Sequence, residues 1–238
     1  MSEAKVAVVL GVGPGLGGAI VRRFARENFA VAMMARNEDM LKAIQQEVEE
    51  FGGVALPVAT DATNPNSVID AFAQVKEKLG TPEVFVYNAG TLLMGGILEL
   101  TPEQFENSWK INCLGAFLAV QQVLPAMVER GSGAILLTGA TASLRGGARF
   151  AGLAVGKFGL RALAQSLARE FSPQGIHVAH IIIDGLINTP RVQAMAPERE
   201  SHTMLSPEAI AQTYWQLYLQ EPTAWTLELD LRPAVEKF

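Results

Sequence analysis

The 238-residue chain reads as an α/β protein built on a doubly wound parallel sheet. Three observations predict this. Short β-branched apolar runs alternate with segments of helical period, a glycine-rich turn joins the first run to the first helix, and polar residues stand where successive runs end.

The first run is Val6 to Leu10, apolar throughout, as suits a strand buried on both faces. It enters LGVGPGLGG, after which Leu16, Ile20, Val21 and Phe24 recur at helical spacing with Arg22, Arg23 and Arg26 opposite. Gly11, Gly15 and Gly17 fit G-x-x-x-G-x-G; the G-x-G-x-x-G spacing fails because position 16 is Leu16. Such a loop lets backbone approach a ligand closely, and the unpaired N–H groups of the following helix favour an anion. The alternative is a turn that merely joins strand to helix.

Ala30 to Met34 is the second strand, followed by Ala35 and Arg36. In a dinucleotide site an acid here bonds the ribose 2′-hydroxyl, whereas an arginine accommodates a 2′-phosphate. Arg36 therefore favours NADP over NAD, with Glu38 and Asp39 pulling the other way. Asn37 caps a helix that runs to Phe51 and stops at Gly52-Gly53, and Val54 to Ala59 is the third strand, ending at Asp61. Asn64 or Ser67 starts a helix to Leu79, and Val84 to Tyr87 leads into Asn88-Ala89-Gly90.

One long helix is expected from Thr101-Pro102 to about Arg130, with Pro125 as a kink or late break. Ala134 to Thr138, a helix from Phe150 to Phe171, and Ile176 to Ile183 follow. Pro190 to Leu205 reads as an irregular, mobile flap, Ser206-Pro207-Glu208 opens a last helix to about Leu219, and Trp225 to Leu231 closes the sheet as a seventh strand. Ligands of such sheets bind beyond the carboxyl ends of the strands, where Gly11, Arg36, Asp61, Asn88, Ala140 and Asp184 all fall.

Composition narrows the field. Hydrophobic residues make up 49% and charged residues 18%, and the net charge of −5 argues against a nucleic-acid surface or a polybasic membrane patch. The single cysteine, Cys113, excludes a disulfide framework and a cysteine-based zinc site, and reads as a buried small hydrophobe. The MSEAK opening has no leader pattern, and no apolar run reaches the roughly 20 residues needed to span a bilayer, so a reducing cytoplasmic setting is expected.

With these motifs in order, the chain resembles the short-chain dehydrogenase/reductase family over nearly its full length. The family's T-G-x-x-x-G-x-G is present with Leu10 in place of threonine, its N-A-G is Asn88-Ala89-Gly90, and its adenine-contacting acid matches Asp61. Asn112 matches its active-site asparagine; Gly185 and Thr189 fit P-G-x-x-x-T, with Asp184 for the proline. The resemblance implies a single Rossmann domain over 1–238, with a flap at about 186–206. It implies cofactor contacts from Gly11, Gly15, Leu16, Gly17 and Arg36, then Asp61, Ala62, Asn88, Ala89 and Gly90, and finally Lys157, Ile187 and Thr189. It also implies a homodimer or homotetramer joined through the long helices and through the last helix and strand.

The catalytic pattern departs from the family. Its Y-x-x-x-K reads Leu153-Ala154-Val155-Gly156-Lys157, and its serine, thirteen residues before the tyrosine, is Ala140. In the family the tyrosine exchanges a proton with the substrate oxygen, the serine hydrogen-bonds it, and the lysine binds the ribose and lowers the tyrosine pKa. Of the family's catalytic set Lys157 and Asn112 remain. Losing a general acid typically costs ~10²–10⁴ in rate. The expected function is NADP(H)-linked hydride exchange with an unidentified carbonyl or alcohol, weak, altered or absent; the alternatives are a non-catalytic nucleotide-binding sensor or partner subunit, or a purely structural protein. Thr141, Ser143 and, less readily, Thr138 are substitute hydroxyls, Asp184 is a substitute acid whose plainer role is a hydrogen-bonded structural one, and Tyr214 and Tyr218 are placed near the substrate's way in, with packing as their plainer role. Tyr87 is the remaining tyrosine, His177 and His180 point to opposite faces of their strand and cannot chelate together, and His202 lies on the flap.

Overall fold

In a computed structural model describing residues 4–236, seven parallel strands form one sheet in the order β3-β2-β1-β4-β5-β6-β7. The first residues of the MSEAK opening lie outside that range. The strands are β1 Val6–Leu10, β2 Ala30–Ala35, β3 Val54–Ala59, β4 Val84–Tyr87, β5 Gly133–Thr138, β6 Ile176–Ile183 and β7 Glu228–Leu231. Between them run helices α1 Leu16–Ala25, α2 Glu38–Glu50, α3 Pro65–Lys78, α4 Pro102–Trp109, α5 Gly115–Arg130, α6 Ala151–Phe171, α7 Pro190–Met195 and α8 Pro207–Tyr218.

The alternation of β1 builds two cores at once. Ala7 and Val9 face a cluster with Ile20, Phe24, Leu41 and Ile44 from α1 and α2 and Ile210 and Tyr214 from α8. Val6, Val8 and Leu10 face a second, with Val68 and Phe72 from α3, Val120 from α5 and Leu160 from α6. The central strand β1 is thus apolar on both sides, as a sheet covered on both faces requires. The strand order reverses between β1 and β4, which pair from Ala7↔Val84 to Leu10↔Tyr87, so a crevice opens beyond their carboxyl ends.

Helix starts follow the expected caps. Asn37 accepts from Met40 N, Asn64 from Asn66 N and Ser67 N, and Ser206 from Ala209 N. Thr101 and Gln104 satisfy each other's backbone reciprocally, with Pro102 in the first turn.

Three expectations need correction. The long helix is interrupted at Lys110–Leu114 by a π-helical turn, yet it passes through Pro125 and ends only at Gly131 in left-handed φ (68°). The flap is not wholly irregular: it holds α7 and a short 3₁₀ turn, and a parallel bridge from Ile187 to Leu205 closes its base. The last strand is shorter than expected, because Trp225 and Thr226 turn back to Gln220 and only Glu228–Leu231 pairs with β6. Among the described residues one stretch, Pro102–Arg130, is long and apolar enough by composition to cross a membrane, which the sequence reading overlooked. Here it buries Ala116, Ala119, Val120, Val123 and Met127 against the sheet.

Candidate functional site

A cleft of about 960 Å³ lies beyond the carboxyl ends of β1 to β4. Its walls come from Gly11 and Val12 after β1, Arg36 after β2, Asp61 and Ala62 after β3, and Asn88 to Leu92 after β4. Gly11 is fixed here by two constraints. Its φ is +99°, and a Cβ would stand 2.1 Å from Ala89 N. At Gly17 a Cβ would stand 2.6 Å from Gly11 O, so the first turn of α1 can press onto the loop only without a side chain. The Asn88 side chain then donates to Gly11 O at 2.8 Å, tying the loop to β4.

Asp61 accepts from Thr63 N at 2.9 Å and from the Thr63 hydroxyl at 2.8 Å. These bonds, foremost the backbone one, hold its carboxyl below the usual range, with the Arg36 charge a smaller contribution in the same direction. Among the described residues Arg36 makes no ion pair. An exposed guanidinium and an ionised acid therefore face one cleft from neighbouring strand ends.

At the other end stands Lys157. It is 6% exposed, and its ammonium donates to Thr138 O at 2.7 Å. Burial pulls its pKa down to about 8. Asn112, fully buried in the π-helical turn, donates to Thr91 O (3.1 Å) and Ser108 O (3.0 Å) and accepts from Thr91 N (3.3 Å). Gly90 joins the two: a Cβ there would lie 3.2 Å from Asn112 Oδ1 and 3.6 Å from Lys157 Nζ. Gly90 also lines the cleft, so the lysine and the cleft meet at this glycine.

Gly11, Arg36, Asp61, Ala62, Asn88, Ala89 and Gly90 thus share one cleft. Leu16 and Ile187 instead pack in or against the core of α1, α2 and α8. Thr189 meets the glycine-rich loop, its methyl carbon 2.5 Å from where a Cβ on Gly15 would be. Leu153 is half-buried on α6, one helical turn before Lys157, and Ala140 follows β5, its N–H donating to Ser143 Oγ at 3.2 Å.

The substitute groups divide sharply. Ser143 is fully buried, and the Thr138 hydroxyl is paired with Tyr214 OH at 2.7 Å. Thr141, next to Ala140 and less buried, donates to Asp184 Oδ1 at 2.5 Å, and Asp184 also faces Arg232 at 3.4 Å. The placement expected for the two tyrosines of α8 is overturned. Tyr214 is wholly buried in the core, and Tyr218 bonds Lys5 (2.7 Å) and Glu83 (2.5 Å), which precede β1 and β4 at the amino ends of the strands, away from the cleft. Tyr87 is buried and donates to Ile111 O at 2.6 Å. His177 stacks on Trp225, and His180 pairs with Glu228 across β6 and β7. His202 sits on the flap 3.0 Å from Glu200. Cys113 is half-buried near Lys157, and burial raises its thiol pKa.

Sequence reasoning missed Arg191, which lines the cleft from the flap, and Thr91, whose backbone Asn112 holds. A basic residue two positions after Thr189, in an acidic chain, was the available signal for the first. For the second there was none, because backbone groups carry no residue signature.

A doubly wound parallel sheet with a glycine-lined cleft at its switch point defines the class of Rossmann-fold proteins. The pattern described as short chain dehydrogenase matches residues 5–200, and the chain belongs to that family. It is 33% identical over 193 residues to a short-chain dehydrogenase/reductase of Armillaria gallica, covering 80% of this chain and 74% of that one. A crystal structure of a short-chain dehydrogenase from Rhodopseudomonas palustris superposes with a TM-score of 0.84 at 38% identity, covering 96% and 98% of the two chains. An alcohol dehydrogenase of the archaeon Thermococcus sibiricus, complexed with 5-hydroxy-NADP, gives 0.86 at 26% identity over 98% of each.

Proposed function

We propose that this protein binds NADP(H) along the cleft from Arg36 to Lys157 and exchanges hydride with a carbonyl or alcohol at a centre stripped of its usual hydroxyls. One observation carries the reading: Lys157 and Asn112 stand at Gly90, on the wall of the same cleft that Arg36 and Asp61 flank. The residues fit the group. Gly11 and Gly17 leave backbone bare where a diphosphate would pass, Asp61 is an ionised acceptor for adenosine, and Arg36 is an unpaired cation for a 2′-phosphate. The NADP analogue in the Thermococcus sibiricus relative supports the same cofactor. When bound, the nicotinamide supplies or accepts the hydride.

Lys157 then orients the ribose, and Asn112 keeps the Thr91 backbone beside it in place. Leu153 and Ala140, where the family has its tyrosine and serine, leave the substrate oxygen without a proton donor from those positions; the Thr141–Asp184 pair is the nearest polar replacement along the chain. Exposed Leu92, Met94, Ile97 and Leu98 on the loop after β4, of which Leu92 lines the cleft, favour an apolar substrate. The second reading, a nucleotide-binding sensor or partner subunit, is favoured by the hydrocarbon at 153 and 140. The reading includes a reducing cytoplasmic setting and a homodimer or homotetramer; exposed Phe117, Val155 and Phe158 on α5 and α6 suit the helix-mediated contact.

Thermal melts with NADPH and NADH, then turnover on medium-chain ketones and alcohols, decide between them. Ligand at 100-fold its Kd stabilises by about 2.7 kcal/mol, so NADPH should raise the midpoint by roughly 5–10 °C. NADH should do less, and Arg36→Ala should erase the difference. The Leu153→Tyr/Ala140→Ser variant should gain at least about 100-fold in ketone reduction. Loss of wild-type turnover in Asp184→Asn would locate the acid chemistry there, binding without wild-type turnover would favour the sensor or subunit, and no shift with either nucleotide would refute the whole reading.

A further inference from the structure

The flap begins against the glycine-rich loop. Thr189 accepts from Val192 N at 3.3 Å to cap α7, and its methyl group abuts Gly15. Two residues on, Arg191 is exposed and lines the cleft shared by Arg36, Asp61 and Asn88. Among the described residues Arg191 has no ion pair and no hydrogen bond from its side chain, although acids outnumber Lys and Arg by 24 to 19. Glu200, also on the flap, pairs with His202.

A guanidinium at the rim of a cleft, itself paired with no carboxylate, is suited to an anion that arrives with a ligand. Two phosphate-bearing regions of the cofactor are candidates. Arg36 follows β2, where the adenosine ribose would lie. Arg191 instead follows the residue that touches Gly15, at the loop that would receive the diphosphate. We infer that Arg191 is the flap's anion clamp: its guanidinium pairs with the diphosphate, so that cofactor binding draws the 187–205 flap onto the glycine-rich loop. This rests on the cofactor reading above. It adds that the flap senses the diphosphate shared by NADPH and NADH, leaving discrimination between them to Arg36.

Affinity measurements test it, with NADPH, NADH and adenosine 2′-monophosphate as probes on wild type, Arg191→Ala, Arg191→Lys and Arg36→Ala. Arg191→Ala should weaken NADPH and NADH alike by about tenfold, the size of one charge-assisted hydrogen bond, and leave adenosine 2′-monophosphate unchanged. Arg191→Lys should recover part of the loss. Hydrogen exchange of the α7 amides should slow when wild type is saturated with NADPH, and should not slow in saturated Arg191→Ala. The clamp is refuted if Arg191→Ala keeps NADPH affinity within twofold, if it loses NADPH alone, or if adenosine 2′-monophosphate weakens too. Wild type that binds neither dinucleotide would instead bring down the cofactor reading, and the clamp with it.

Discussion

The ammonium of Lys157 is 6% exposed and has the Thr138 carbonyl as its hydrogen-bond acceptor. Its pKa falls from 10.5 to about 8 because burial disfavours the charged form. A difference of that size corresponds to about 3 kcal/mol of destabilisation while the group is charged, an upper figure. The sign follows from proton counting. Between pH 8 and 10.5 the unfolded chain holds a proton that the folded chain has lost, so stability climbs with pH across that window, and the penalty is fully present below it. Lys157→Met should therefore stabilise the ligand-free protein at pH 7, by about 1–3 kcal/mol less the lost bond to Thr138 O, with the gain fading by pH 10.5. Urea titrations at pH 7 and 10 measure it. A variant destabilised equally at both would mean that the bond to Thr138, not desolvation, dominates. On the cofactor reading proposed above, the same substitution should also weaken nucleotide binding.

At the scale of elements, the π-helical turn at Lys110–Leu114 does what a regular helix would not. One residue more in the turn puts Asn112 inward, against α6, where a Cβ on Gly156 would lie 2.6 Å from its own. From there its amide holds both Thr91 N and Thr91 O. Asn112→Ala leaves both backbone groups unpaired and should cost about 1–3 kcal/mol in urea unfolding. It should also weaken NADPH binding, because Thr91 lines the cleft. A stability loss with unchanged affinity would make the asparagine structural alone. This turn also marks where the sequence stops being readable. Asn37, Thr101 and Ser206 announce their helices because a capping side chain is a property of one residue, and the strands appear because burial on both faces demands apolar runs. A π-turn has no such signature, and the periodicity from Pro102 to Arg130 spans it unbroken. The cleft walls from Gly11 to Gly90 were legible as strand ends, whereas the distant pairings Tyr218–Glu83 and Thr141–Asp184 depend on registers that no local pattern encodes.

Across the whole molecule the buried titratable groups give a stability profile skewed to alkaline pH. His180 is 1% exposed, and burial, offset in part by Glu228, drives its pKa to about 4. Between pH 4 and 6.5 the unfolded chain takes up a proton there that the folded chain refuses, so stability rises with pH through that window. Asp61 and Glu228, both lowered, act in the same direction at acid pH, and Lys157 continues the climb from pH 8. The reverse begins where groups raised by folding start to ionise in the unfolded chain: Cys113 from 9.0, Tyr87 and Tyr214 from 10.0, each raised chiefly by burial, and Lys5, raised chiefly by its bond to Tyr218, from 10.5. Above those values the unfolded chain loses protons that the folded chain keeps, and stability falls. Midpoints of thermal unfolding for the ligand-free protein, taken from pH 4 to 11, should therefore rise through neutrality and peak between about pH 8 and 10. His180→Phe should make the acid limb shallower, leaving the share of Asp61, Glu228 and His177, whose pKa burial also lowers, and should leave the alkaline limb in place. A maximum near pH 6 would contradict the buried-lysine assignment, because Lys157 should make stability climb further between pH 8 and 10.5.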